Sequence, residues 1–451
     1  MNEQKVLIIG AGLAGSEAAL FFARNGIKVV LTECKAKAPN EAQKLKTAAE
    51  LVCTNSLKSL NPASGHGLLK YEMEALASVV LEVGKATAVP AGDALAVDRD
   101  NFSNEIHRRL KNHPNIELIE EEVVDPLQSG AKYGCDFIII ATGPLTKKPL
   151  ETWIQENVSG DDFYFYDAIA PVVDADSLDF SKLYFKDRYK PVNEEEGEKA
   201  DYLNAPMTKA EYEAFIEELC KAEKVPPQNF EELKYFEACL PVDTLAERGP
   251  ETLRFSCMKP VGLETSDGKM PYACVQLRKE NLKGSAFNLV GFQTRLTYKE
   301  QVRIFKMIPG FENATFNHLG SVHRNSFLHA KKVLNFDLSS KEFPKLYFAG
   351  QITGVEGYTE SASMGLYAAM QILRKFQDKD PLKWPVETGI GALINYIMTA
   401  SKASPSSINF GLLPPVQLEK SQRRSKDRKK IKKQLAAQRA REVFDEFLKL
   451  I

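Results

Sequence analysis

Gly10-Ala11-Gly12-Leu13-Ala14-Gly15 constrains this chain more than any other stretch. It follows "KVLIIG", a β-branched run that predicts a buried parallel strand, and opens "AGLAGSEAALFFARNG", which predicts a turn and a helix. Gly26 sits where a glycine ends such a helix, and "IKVVLTE" predicts the second strand. The result is a βαβ unit with G-x-G-x-x-G at its first turn. Gly10 permits the tight turn, Gly12 lets backbone approach a pyrophosphate, and Gly15 allows close strand–helix packing. Amides at the helix start then face phosphate, with Ala11, Leu13 and Ala14 between the glycines. Glu33 ends the second strand, at the offset of a carboxylate that accepts from an unphosphorylated ribose. The motif in this context predicts dinucleotide binding.

The remaining chain divides by character. "CDFIIIATGP" predicts another buried strand ending in a glycine-containing loop, so residues 1–150 form the first part of a nucleotide-binding domain. Residues 151–310 hold charged helices, aromatic strands and a polar insert, and predict an inserted α+β domain for substrate. Within it Thr208 and Glu211 form a capping box, and Tyr212, Phe215, Ile216 and Leu219 recur at helical spacing. Residues 311–400 return to nucleotide-binding character in "KLYFAGQITGVEGYTESASMGLYAAMQIL", read as strand, glycine-rich loop and a helix starting near Ser361. Residues 401–451 close the chain with a basic amphipathic helix. The expected fold class is therefore α/β, a Rossmann-like domain split by an insertion.

"ATGP" and "YFAGQITGVEG" resemble the further pieces with which flavoproteins of the two-dinucleotide-binding-domain type enclose FAD. This adds Ala141, Thr142, Gly143, Gly350, Gln351, Gly354, Gly357 and Tyr358 to the expected cofactor residues. No second G-x-G-x-x-G is present, so no NAD(P)H site is assigned.

Charge excludes bulk attraction to polyanions, because 59 Lys and Arg face 60 Asp and Glu. The exception is local: residues 419–441 carry eleven Lys or Arg and two acids, a pattern suited to phosphate contact. No apolar run reaches the roughly 18 residues of a membrane span. Seven cysteines without a C-x-x-C pair argue against structural zinc, and no metal site is expected. An odd count with no secretory signal predicts reduced thiols in the cytoplasm.

Two cysteines stand out. Cys53 in "LVCTNSLKS" lies where apolar chain turns abruptly polar, and Cys239 in "LKYFEACLPV" precedes a helix-ending Pro241. Cys34, Cys135, Cys220, Cys257 and Cys274 are read as buried and inert. Thr54, Asn55 and Ser56 are expected to offer hydrogen bonds to a thiolate or a carbonyl. His323, Arg324 and Asn325 form a polar triplet suited to an anion or to a turn. Asp93, Asp98 and Arg99 lie on a loop read equally as near the cofactor or as ordinary hydrogen-bonded loop. Tyr202, Tyr235 and Phe236 suit either base stacking or core.

"GAGLAGSEAA", "AELVCTNSLKS", "GLLKYEME", "VPAGDALAVDRDNFS", "ADYLNAPM", "YFEACLPV", "LVGFQTRL", "AGQITGVEGYTESASMGL" and "NFGLLPP" run in one order along almost the whole chain. In them the chain resembles the folate- and FAD-dependent RNA (uracil-5-)methyltransferases, the TrmFO family. The resemblance implies transfer of a methylene from 5,10-methylenetetrahydrofolate to uracil C5, with hydride from reduced FAD and NAD(P)H as the reductant. It implies tRNA as the RNA partner, at the T-loop uridine, and Cys53 and Cys239 as the two catalytic cysteines. Which attacks and which takes the proton stays open. Ribosomal RNA is an alternative target. A wobble-uridine-modifying flavoprotein and a non-catalytic RNA-binding flavoprotein are the alternative functions. No oligomer is implied, and a monomer is expected. Two departures are visible: Cys34-Lys35-Ala36 replaces the usual Met-Arg-Pro at the adenosine rim, and "CTNS" replaces "CSNS" but keeps a hydroxyl.

Overall fold

The computed structural model describes residues 3–37, 39, 43–160, 164–168, 170–189, 200–225, 240–281, 283–320, 322–400, 405–423, 425 and 427–451, with the backbone alone for 164–168, 322–325, 420 and 423. Strands and helices are numbered in chain order. Strand β1 (Lys5–Ile9) is the centre of a five-stranded sheet whose pairings are all parallel. β2 (Lys28–Thr32) and β6 (Ile116–Ile119) extend it on one side; β7 (Phe137–Ile140) and β16 (Leu346–Phe348) extend it on the other. Val6, Leu7 and Ile8 are wholly buried, as a parallel strand covered on both faces requires.

Helix α1 (Leu13–Arg24) follows the glycine turn, and Gly26 at φ +79° ends it as expected. It packs against α6 (Tyr358–Phe376), which starts three residues before the expected Ser361. The two helices touch backbone to backbone: a Cβ on Gly365 would lie 2.1 Å from the Ala14 carbonyl oxygen.

The second core is separate and draws on residues from Val173 to Phe316. Its sheet runs in the order β10 (Tyr184–Phe185), β11 (Tyr202–Met207), β12 (Ala273–Lys279), β13 (Ala286–Leu289), β9 (Val172–Asp174), β14 (Phe316–His318), all antiparallel. Helix α5 (Lys209–Lys221) lies on it and has the expected capping box, with Tyr212, Phe215, Ile216 and Leu219 buried. Chain enters and leaves this unit side by side, because β8 (Tyr164–Ala168) pairs antiparallel with β15 (Val322–Ser326).

A small sheet, β4 (Ala88–Val89), β5 (Ala94–Val97) and β3 (Ser56–Ser59), flanks the first core. Helices α2 (Gly65–Ala75), α3 (Val79–Ala86), α4 (Arg99–Asn112) and α7 (Gly389–Thr399) complete that layer. The C-terminal segment is part of the same body: Ile408, Leu413, Ala440, Phe444 and Phe447 belong to the first core. Its basic helix is broken, with a short helix over Lys420–Arg423 and then α8 (Arg428–Leu448). The Ser425 hydroxyl accepts from the Asp427 amide at the break, a local bond that competes with the helix.

Candidate functional site

A cleft with about 710 Å³ of open space, partly continuous with solvent, lies at the C-terminal ends of β1, β2 and β7. This is where a doubly wound sheet holds a ligand. Gly10, Ala11, Gly12, Glu33, Ala141 and Thr142 line it. Gly10 takes φ +99°, and a Cβ there would meet the Ala141 carbonyl oxygen at 2.8 Å. A Cβ on Gly15 would lie 1.9 Å from the Gly10 carbonyl oxygen, so that glycine serves packing. Gly12 differs: the nearest protein atom to its missing Cβ is the Ala141 oxygen at 3.9 Å. No side chain caps α1, which leaves its first amides to the cleft. Glu33 accepts from the Ala11 amide through Oε2 and from the Lys35 amide through Oε1, both at 2.9 Å.

The Cys53 segment is held by parts from both cores. Cys53 is half-buried. The amides of Cys53 and Thr54 donate to the Tyr358 hydroxyl at 2.8 and 3.1 Å. Tyr358 is the first residue of α6, and burial raises its pKa well above the usual phenol range. From β12, Arg278 donates through Nη2 to Thr54 Oγ1 at 2.6 Å and through Nε to Asn55 Oδ1 at 2.9 Å. The Asn55 amide donates to the carbonyls of Val97 and Lys279 at 3.2 and 3.0 Å. Arg99 donates to the Leu51 carbonyl at 2.9 Å and pairs with Glu280 at 2.5 Å. Leu51, Cys53, Thr54 and Asn55 are therefore each hydrogen-bonded to Tyr358, Arg99 or Arg278.

Behind the segment, fully buried Glu360 faces Lys58 at 3.9 Å and His66 Nδ1 at 3.2 Å and accepts from the Ile408 amide at 3.1 Å. Burial would raise its pKa, but the Lys58 charge and the His66 bond win and hold it at about 2. Lys70 nearby is pulled down to about 8 by burial, partly offset by Glu360.

A family model described as "Glucose inhibited division protein A" matches residues 5–380. The methylenetetrahydrofolate–tRNA-(uracil-5-)-methyltransferase TrmFO of Aquifex aeolicus (strain VF5) is 48% identical over 449 residues, covering 99% of this chain and 97% of that protein. The TrmFO of Natranaerobius thermophilus is 47% identical over 447 residues, covering 98% and 99%.

The chain belongs to the TrmFO family.

Solved structures carry the fold further afield. Aquifex aeolicus GidA in its form II crystal superposes with a TM-score of 0.68 at 18% identity, over 99% of this chain and 74% of that one. The form I crystal gives 0.66 at 18%, over 100% and 78%. Both support the Rossmann-type architecture expected for a TrmFO chain.

The expected TrmFO residues divide into groups. Leu13, Ala14 and Gly15 lie in the packed turn and first helix residues beneath the cleft. Gly143 has open space around its missing Cβ. The open sides of the second glycine loop face protein: Gly350 against Ala14, Gly354 against Ile397 and Phe327, and Gly357 against Glu360 and Lys58. Gln351 donates to Glu356 at 2.7 Å. These contacts give that loop a packing reason that glycine content alone did not reveal. Cys239, Tyr235 and Phe236 lie outside the described residues. His323, Arg324 and Asn325 occupy β15, with their side chains outside the described set.

Two expectations need correction. Asn55 has no donor left for a substrate, because its amide N–H groups go to the Val97 and Lys279 carbonyls. Its neighbours differ: Ser56 accepts from the Lys58 amide and Thr54 from Arg278, and each hydroxyl keeps its own proton to donate. The five other cysteines are not uniformly buried. Cys274 is buried; Cys34, Cys135 and Cys257 are half-buried; Cys220 is exposed in the last turn of α5, where its side of the helix meets water. Burial still raises all five thiols, to about 11 for Cys135 and about 12 for Cys257 and Cys274. Cys34 also lines the dinucleotide cleft.

Asp98 caps α4, Asp93 accepts the Leu60 amide on its carbonyl, and Tyr202 donates to the Ala91 carbonyl at 3.3 Å. Sequence reasoning passed over Arg278, Glu280, His66 and Glu360. The available signal was weak: Arg278 alternates with Leu277 in β12, "ACVQLRK", on the same face as Gln276. Among the described residues no cluster of ligating side chains suits a metal ion, and no helix is long and apolar enough to cross a membrane.

Proposed function

We propose that this chain methylates C5 of a uridine in tRNA, at the T-loop position, using 5,10-methylenetetrahydrofolate as the carbon donor. The observation that carries the proposal is the Cys53 segment, held by Tyr358 and Arg278 beside a dinucleotide fold in a chain 48% identical to a TrmFO along 99% of its length. FAD fits the cleft. Gly12 leaves space where a Cβ would meet only one protein atom, the α1 amides are uncapped, and Glu33 keeps lone pairs for ribose hydroxyls. Gly10, Ala11, Gly12, Glu33, Ala141 and Thr142 would hold the adenosine and pyrophosphate. The loop through Gly350, Gln351, Gly354, Gly357 and Tyr358 would support the remainder. When bound and reduced, FAD supplies the hydride that turns a transferred methylene into a methyl group. NAD(P)H is the proposed reductant, and the cytoplasm the proposed compartment.

The chain's own groups supply the rest. Uracil C5 is a weak nucleophile until a thiolate adds to C6 and makes it enolate-like. One of Cys53 and Cys239 adds, and the other removes the C5 proton after C5 has bonded to the methylene carbon. Loss of that proton would expel the amine that carried the methylene, leaving an exocyclic C5=CH2 with the thiolate still on C6; hydride addition to that carbon would re-form the C5=C6 bond and expel the thiolate. The segment's hydrogen bonds hold the Cys53 sulfur in place while the base, extruded from its loop, reaches it.

The test is methyl transfer to a tRNA transcript with methylenetetrahydrofolate as donor. Cys53→Ala and Cys239→Ala should each abolish product while flavin remains bound. Transfer that requires S-adenosylmethionine would overturn the scheme. Mapping 5-methyluridine in tRNA and ribosomal RNA from cells lacking the protein separates the two targets.

A further inference from the structure

Helix α8 has two halves of different character. From Ala436 onward it is anchored, with Ala436, Ala437, Ala440, Phe444 and Phe447 buried. Before that, Arg428, Lys429, Lys430, Lys432 and Lys433 are all exposed. None of their side chains has a hydrogen-bond or ion-pair partner among the described residues, and no acid occurs between Arg428 and Arg441.

The two halves share one face. Lys429 and Lys433 continue the stripe Ala436, Ala440, Phe444, Phe447 at spacings of three and four. The face that packs on protein in the second half thus becomes cationic where the protein beneath it ends. Ile431 and Leu435, the apolar residues of the first half, fall on the opposite side and are half-buried.

Aromatic and polar contacts hold the second half. Phe447 lies tilted against Trp384 at 4.9 Å between centroids, Phe444 meets Tyr71 at 6.2 Å, and Tyr71 donates to Asp445 at 2.7 Å. One turn earlier, Arg441 donates to the Pro62 carbonyl at 2.9 Å. Arg441 also lies over the Tyr71 ring at 5.2 Å, and Arg439 donates to the Pro415 carbonyl at 3.1 Å, so the helix is held from Ala436 onward. The exposed cations from Arg428 to Lys433 occupy about 8 Å of helix before that anchor. The Pro62 turn is nine residues from Cys53. Chain length alone keeps that turn within about 32 Å of the thiol's Cα.

We propose that this exposed cationic half of α8 is a phosphate-docking arm for the RNA substrate, its five cations gripping backbone of the same RNA whose base reaches Cys53. The proposal rests on the RNA-methylation reading above. RNA is favoured over an anionic membrane because the cationic half presents no broad apolar face to bury in lipid: its two apolar residues, Ile431 and Leu435, are half-buried.

The test compares wild type with Lys429→Gln/Lys430→Gln/Lys432→Gln/Lys433→Gln, and with the four Lys→Arg changes, in flavin-loaded full-length protein. The four side chains are exposed, so melting temperature and flavin spectrum should not change. At ~0.1 M salt the Gln variant should bind tRNA transcript at least about tenfold more weakly, with a log–log salt slope shallower by about two to three. KM for tRNA should rise, and kcat should hold. The Arg variant should keep wild-type affinity. Wild-type methylation with an unchanged affinity and slope in the Gln variant would overturn the arm and leave the functional reading intact. Failure of the wild type to methylate any RNA would overturn both. Loss of affinity in the Arg variant would overturn a charge-based role. Binding of phosphatidylserine vesicles that the Gln variant loses, with tRNA affinity unaltered, would reassign the arm to membrane.

Discussion

Tyr358 and Arg278 fix the position of the Cys53 thiol through its chain. Each works on the chain around Cys53: one collects two amides, the other ties down the next two side chains. Tyr358→Phe removes the acceptor of both amides, at a cost of about 1–3 kcal/mol for groups left unpaired. The expected outcome is a fall in kcat with flavin retained, and faster alkylation of Cys53 by iodoacetamide as the segment loosens. Arg278→Ala should cost more, about 3 kcal/mol, because Asn55 Oδ1 loses its partner while buried. Its melting temperature should fall with its activity, and Arg278→Lys should restore only part, since one ammonium cannot span two acceptors in the guanidinium's fork. Cys53 was legible as a candidate because its neighbours change abruptly from apolar to polar. Arg278 was not, because it lies 225 residues away in sequence and becomes adjacent only through the packing of two cores.

Helices in this molecule are capped across the fold as well as within themselves. Glu17 of α1 accepts from Ser78 and from the Val79 and Val80 amides at the start of α3. Glu72 of α2 does the same for α7 through the Gly389 and Ile390 amides. Burial pushes Glu72 up to about 8, although both amide bonds favour its charged form. A carboxyl with a raised folded pKa binds a proton on folding between its unfolded value near 4.5 and 8. Its stabilising contribution is complete below that window and declines as pH rises through it. Glu72→Gln should flatten the dependence of melting temperature on pH between about 5 and 8, measured against wild type in the same buffers. Local capping was readable in advance: Thr208 and Glu211 sit three apart before an apolar stripe, and Thr208→Ala should cost about 1 kcal/mol by thermal unfolding. Cross-fold capping was not readable, because a buried Glu within a helix gives no sign of which distant helix it will meet.

Two cores meet through a few polar ties: Arg99 with Glu280, Arg278 with Thr54 and Asn55, Tyr202 with Ala91, and Lys44 with His318. Removing Arg99 leaves Glu280 largely buried without its cation, a loss of about 3–5 kcal/mol for a buried pair. Arg99→Ala should split thermal unfolding into two transitions, one for each core, seen by calorimetry; a single unshifted transition would show that the pair does not couple them. The interrupted nucleotide-binding fold was legible because strand and glycine-loop patterns recur at both ends of the chain. The interface between cores was not, since nothing in periodicity says which faces of two folded units will touch.

The central sheet opens with residues 5–9 and acquires its edge strand only at 346–348. At ribosomal rates of about 5–20 residues per second, the nascent protein waits roughly 17–70 seconds between the two. During that interval the intervening unit can finish folding, and it then serves as the staple that brings the halves of its host together. A translational pause after residue 320 would thus act on a chain whose cleft-lining residues are all made while its central sheet still lacks the edge strand.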